Sequence, residues 1–290
     1  MACMNRRQFM KHTGGLLAAA ASVPAFAQGA APASFQATAS RTLGGTGIQC
    51  SLLGMGTGTK AWNGSSAQNR MGRQHFVTLI EHAYAQGLRY FDLADMYGAH
   101  DYMKDAMKAS VKREECMLLS KSVSREPGML RADLERFRKE LDTDYVDVVL
   151  LHCMTEPDWN VKLQGCMDVL SEAKEKGQIR AHGVSCHNFG AMQTASESPW
   201  VDCMLSRINP FGVKMDGTPE EVSALLKKAH ASGKGMLGMK IVGEGELNTK
   251  IPESLQYVLG LGCLDTMTVG FLERTEIDDM INRIGAVKLA

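Results

Sequence analysis

Apolar residues along this chain recur in two alternating periods. Phe76, Leu79, Ile80, Ala83 and Tyr84 fall at i, i+3, i+4, i+7 and i+8, one stripe of an amphipathic helix that ends at Gly87. A second stripe, Leu163, Met167 and Leu170, ends at Gly177, and a third, Val222, Leu225, Leu226 and Ala229, ends at Gly233. A short apolar run follows each glycine, as a strand buried on both faces would read. Such runs predict eight strands near residues 52–55, 89–93, 117–120, 147–151, 180–184, 202–206, 236–239 and 266–269. The spacing leaves room for a helical crossover between parallel neighbours, so the economical closure is an α/β fold, the (β/α)8 TIM barrel. An open doubly wound sheet is disfavoured, because no Gly-x-Gly-x-x-Gly fingerprint follows the first strand. Just upstream, residues 41–48 read as an N-terminal β-hairpin around glycines, suited to plugging the barrel's bottom.

The residues before this pattern change the picture. Asn5-Arg6-Arg7-Gln8-Phe9-Met10-Lys11 is a twin-arginine pattern, followed by a weakly apolar run and a small-residue site at Ala25-Phe26-Ala27. Residues 1–27 are therefore expected to be a bacterial twin-arginine signal peptide, cleaved after Ala27 or, at a second site, after Ala33. Gly14, Gly15 and Pro24 weaken the alternative of an amphipathic terminal helix. Residues 28–40 read as a disordered linker and 41–290 as the barrel. On this reading the chain engages the Tat export machinery and is periplasmic. No later stretch reaches about 18 apolar residues, so no membrane association is expected after processing.

Lys plus Arg and Asp plus Glu are equal at 32 each, without runs of like charge, which argues against nucleic acid or anionic membrane as partners. The chain has eight cysteines; Cys3 lies in the signal, and the others show neither CxxC nor zinc spacing. They read mostly as buried thiols, and no metal is expected.

Candidate chemistry gathers at strand ends. Tyr90-Phe91-Asp92-Leu93-Ala94-Asp95-Met96-Tyr97-Gly98 turns from apolar to polar within a few residues, and the next two strands end in Lys121 and His152. In a barrel these ends converge on one mouth, together with Thr57, Ser185, Arg207, Lys240 and Gly270. A buried lysine needs a partner, and Asp92 is the nearest candidate. An ammonium beside a phenol favours the phenolate, which would make Tyr97 a general acid near neutrality. Each residue alone also has a structural reading: Asp92 as a helix cap, Tyr97 as a half-buried aromatic, Lys121 as a loop start, His152 as a satisfied histidine. Four such coincidences at matching strand ends are harder to dismiss. Gly56-Thr57-Gly58-Thr59 permits close approach by a ligand, or is a plain turn.

From Arg41 onward the chain resembles the aldo-keto reductase superfamily. The resemblance rests on Phe91-Asp92 with Tyr97-Gly98, on Lys121, on His152, and on Gly183-Val184-Ser185 after the fifth strand. It implies Asp92, Tyr97, Lys121 and His152 as a catalytic tetrad in which Tyr97 protonates a carbonyl that accepts hydride from NADP or NAD. It also implies cofactor contacts at Gly56, Thr57, Ser185 and Gly270, with Arg207 and Lys240 either contributing or standing as rim charges. Leu205 and Met239 occupy the places of the family's glutamine and stacking aromatic. After the last strand, Arg274 favours NADP while Glu273 and Glu276 favour NAD, although Glu276 and Asp279 equally suit the first turn of the following helix. The family's long C-terminal loop is missing, so an open substrate site is expected, rimmed by Trp62, Trp159 and Phe211, for a small-molecule aldehyde or ketone. The alternative is a cofactor-binding sensor or regulatory protein on a reductase scaffold with little turnover. A hydrolase or isomerase would call for paired carboxylates or a metal cluster, and neither is apparent.

Overall fold

A computed structural model describes residues 35–289. The expected signal peptide, Cys3 and most of the expected linker lie outside the described residues. The chain opens with a two-stranded antiparallel hairpin, β1 (Ser40–Thr42) and β2 (Gln49–Ser51). Eight parallel strands then close into a barrel: β3 (Leu53–Gly56), β4 (Tyr90–Asp92), β5 (Met117–Ser122), β6 (Val146–Met154), β7 (Ile179–Cys186), β8 (Cys203–Arg207), β9 (Gly235–Met239) and β10 (Thr266–Gly270), with β10 pairing back on β3. The helices around them are α1 (Arg73–Ala85), α2 (His100–Ala109), α3 (Pro127–Leu141), α4 (Trp159–Lys162), α5 (Gln164–Glu175), α6 (Phe189–Glu197), α7 (Pro219–Ala231), α8 (Ile251–Gly260) and α9 (Arg274–Ala286). The (β/α)8 barrel and its N-terminal hairpin are thus present as the periodicity predicted.

Alternation along the strands sorts the core into two compartments. Tyr90, Leu119, Val148, Leu150 and Leu237 face inward, whereas Leu118, Val149, Leu151 and Val184 face the helices. This is the two-residue period of a pleated strand. The hairpin closes the inner compartment from below with Leu43, Ile48 and Cys50, all buried. Gly235 makes room for the plug, since a Cβ there would stand 2.6 Å from Leu43. Residues 35–40, read from sequence as the end of a linker, are docked on the barrel: Ala37 is buried, its carbonyl accepting from the Leu53 amide at 2.8 Å.

Helix ends follow the local signals. Gly87, Gly177 and Gly233 take φ of 97°, 70° and 89°, the left-handed region where a side chain is costly. Of the seven cysteines described, all are free thiols and six are buried, with Cys153 half-buried.

Candidate active site

At the C-terminal mouth, Asp92 closes β4 and the chain enters a single 3-10 turn, Asp95–Tyr97. The turn is fixed at both sides. Asp95 accepts from the Met96 amide at 2.6 Å and the Val123 amide at 3.2 Å, and Asn69 donates to the Tyr97 carbonyl at 2.9 Å. Gly98 ends the turn with φ 63°, where a Cβ would stand 2.1 Å from the Gly64 carbonyl oxygen. The Tyr97 ring is thereby directed back over the mouth and rests on Gly58.

Lys121 is fully buried in β5, and its ammonium meets three acceptors: the Asp92 carboxylate, the Leu93 carbonyl at 2.8 Å and the Tyr97 phenol at 3.4 Å. Three N–H donors with three oxygen acceptors make the burial of this charge tolerable. His152 lies on β6 with its ring edge-to-face to Tyr97 at 5.8 Å between centroids. Its Nδ1 is buried without a protein partner. The structure thus brings Asp92, Tyr97, Lys121 and His152 together.

The electrostatics correct one expectation. Burial, reinforced by the Asp92 charge, holds the Tyr97 phenol well above its usual value, so these effects outweigh the favour that the Lys121 ammonium lends the phenolate. The ammonium is already matched by Asp92, and its own pKa is lowered by burial. His152 is pushed well below the ordinary histidine value by burial and then by Lys121. At neutral pH the mouth therefore holds a neutral phenol and a neutral imidazole.

Sequence reasoning missed His187, which follows β7 directly. Its Nδ1 lies 2.7 Å from the Arg207 guanidinium, which is paired with Asp216 at 3.2 Å. A guanidinium only donates, so His187 Nδ1 accepts and Nε2 carries the hydrogen. That Nε2 lies 3.6 Å from Cys153 Sγ, and burial followed by Arg207 lowers the His187 pKa to about 4. Cys153 itself has φ 60° and donates its amide to Ser185 Oγ at 2.9 Å. The only sequence signal was a histidine two residues beyond Ser185.

The remaining expected contacts divide. Gly56 and Gly270 pair across β3 and β10 and, with Gly58, Tyr97, Lys240 and Thr268, line a pocket of about 80 Å³ that opens to solvent. A Cβ on Gly270 would stand 2.0 Å from Thr59 Oγ1. Thr268 Oγ1 is buried and has no protein partner. Bare backbone beside an unmatched hydroxyl fits the amide and phosphate groups of a dinucleotide. Thr57, by contrast, is fully buried and donates to the Asp92 carbonyl at 2.8 Å. Arg207 is engaged by Asp216 and His187, and Lys240 by Glu244 at 3.0 Å. Glu276 accepts from the Leu272 amide at 2.6 Å and, in the capping box of α9, from the Glu273 amide at 3.3 Å.

The expected aromatic rim is only partly present. Trp62 and Phe211 are exposed, but Trp159 is 2% exposed and donates its indole N–H to the Ala191 carbonyl at 3.2 Å. It packs beneath the loop because α6 and Trp200 close over it.

Comparison with known proteins agrees with this geometry. The sequence profile described as "Aldo/keto reductase family" matches residues 54–258. The chain is similar to "Aldo-keto reductase YhdN" of Bacillus subtilis, 29% identical over 165 residues, which are 51% of this chain and 47% of that protein. It is also similar to the "NADH-specific methylglyoxal reductase" of Escherichia coli, 26% identical over 171 residues, 49% of this chain and 50% of that one. These matches span about half the length of either relative. In fold, it resembles the holo form of aldo-keto reductase AKR11C1 from Bacillus halodurans, with a TM-score of 0.70, 18% identity and coverage of 87% of this chain and 92% of that one.

Proposed function

Because the chain belongs to the aldo/keto reductase family, we propose that it reduces aldehyde or ketone carbonyls with NADPH or NADH. When bound, the nicotinamide supplies the hydride; the chain's own residues manage the proton and the carbonyl. The reading is carried by the three-way hold of Lys121 on Asp92, Leu93 and Tyr97 at the mouth.

Tyr97, neutral because it is buried, donates its phenolic proton to the oxygen of the reduced carbonyl. Lys121 then stabilises the phenolate left behind, and Asp92 keeps Lys121 in place. His152, a neutral imidazole, orients the carbonyl beside the phenol without adding charge. Ser185 Oγ, having accepted from Cys153, retains its own O–H for the nicotinamide amide, while Gly56 and Gly270 admit the rest of the cofactor.

The sensor reading draws on Leu205, 1% exposed, and Met239, which present no polar group where the family has a glutamine and an aromatic. One comparison separates the two. Tyr97→Phe should lower carbonyl turnover by on the order of 10²- to 10⁴-fold while NADPH and NADH titrations stay unchanged. Undiminished turnover in the variant would overturn the assignment, and a wild type that binds cofactor yet reduces no carbonyl would favour the sensor.

Export by the twin-arginine route is proposed on Arg6-Arg7 and the Ala25-Phe26-Ala27 site alone. N-terminal sequencing of the protein from periplasmic extracts, expected to begin at Gln28 or Ser34, tests it. Recovery of an intact N-terminus from the cytoplasm alone would refute it.

A further inference from the structure

Beside the mouth, between the loop after β5 and the end of β6, lies a second cavity of about 210 Å³. Its apolar wall is Met154, Trp159 and Leu163, and its charged lining is Arg125, Glu156 and Lys162. Glu156 and Lys162 pair with each other, and Lys162 also meets Asp158 at 3.2 Å. Arg125 has no carboxylate within ion-pair distance among the described residues. Its guanidinium donates instead to the carbonyls of His152 at 2.6 Å and Val123 at 2.9 Å, with longer contacts to Ser124 and Cys153, both 3.4 Å.

Two features follow from that arrangement. The short bonds hold the guanidinium in one orientation at the rim, and its Nε–H has no partner among the described residues. The bond to the His152 carbonyl also places Arg125 directly behind a residue of the mouth. A fixed guanidinium without a counter-charge, over an apolar wall, suits a carboxylate carried on a short methylene chain, which its remaining Nε–H meets in a charge-assisted hydrogen bond. The Trp159 N–H is already bonded to Ala191, so the wall offers the chain only apolar contact.

Resting on the reductase reading, we propose that Arg125 makes this cavity the binding site for the carboxylate of the substrate, which is a short aliphatic carbonyl compound carrying an acid group. The guanidinium binds the carboxylate, the Met154, Trp159 and Leu163 wall covers the methylenes, and the carbonyl end reaches His152 and Tyr97.

The test pairs succinic semialdehyde with butanal, which has the same chain length without the carboxylate. The wild type should favour the acid by at least about tenfold in kcat/KM, the scale of one charged hydrogen bond. Arg125→Gln should remove that preference through KM for the acid; any loosening of the His152 carbonyl falls on both aldehydes equally, so the ratio between them reports the carboxylate. An Arg125 that only clamps the loop would impair both aldehydes alike, which overturns the proposal. Calorimetric titration with 4-hydroxybutyrate gives a readout independent of turnover: saturable binding lost in Arg125→Gln supports the site even where neither aldehyde is reduced, and no binding by the wild type overturns it. Equal use of both aldehydes by the wild type overturns the substrate class while leaving the reductase reading intact.

Discussion

The phenolic oxygen of Tyr97 stands 3.4 Å from Nζ of Lys121, yet the phenol is held up rather than drawn down. Two effects compete at that oxygen. The ammonium would favour the phenolate, but Asp92 matches the ammonium's charge and burial opposes any net charge nearby. The result is a phenol that keeps its proton in neutral solution, as the proposed reduction requires.

Removing the cation should expose what it balances. In Lys121→Met the Asp92 carboxylate, 5% exposed, loses its partner, and an orphaned buried charge costs about 3–5 kcal/mol. Urea unfolding should show a lower midpoint at unchanged slope, and Lys121→Met combined with Asp92→Leu should recover most of the loss. A single variant as stable as the wild type would mean the pair is not buried in solution.

Gly58 offers a way to move the phenol without touching it. A Cβ there would stand 2.4 Å from the Tyr97 ring, so Gly58→Ala must push the ring away. Overpacking of this kind costs about 1–3 kcal/mol, whereas a displaced reacting group loses on the order of 10²-fold in rate. Turnover should therefore fall far more than the melting temperature does. Wild-type rates in this variant would show that the ring is not seated on Gly58.

Acid stability should report the buried histidines. His182, stacked on Trp200 at 4.3 Å, and His187 are both lowered from 6.5 to about 4, chiefly by burial. Between these values the unfolded chain binds protons that the folded chain does not, so stability rises with pH across that window. Their contribution is complete above pH 6.5 and is lost as pH falls toward 4. Melting temperatures measured from pH 7 to 4 should decline, and less steeply in His182→Gln. A profile flat to pH 4.5 would contradict the burial of these rings.

The barrel was legible because its strands are buried on both faces. Such strands read as continuous apolar runs, and Gly87, Gly177 and Gly233 punctuate the helices between them. Asp92, Lys121 and His152 were legible for the same reason: a polar residue at the end of an apolar run has only the mouth to occupy. Of the two readings open for Trp159, rim or packing, the structure shows packing, because an aromatic at the start of a short helix is exposed or buried according to what covers it, here α6 and Trp200.

By itself, the sequence determined the order of the elements, the closure of the barrel and the strand-end positions of Asp92, Lys121 and His152, though not His187, since periodicity is a local property of the chain. Tertiary structure decided the other charge contacts: beyond the Asp92–Lys121 pair, which the adjacent strand ends already suggested, Arg207 fixes the His187 tautomer across 20 residues, and Glu156 takes Lys162 while Arg125 has no carboxylate partner among the described residues. Proton affinity depends on distance in space and on exclusion of water, and neither is written in the spacing of residues along a chain.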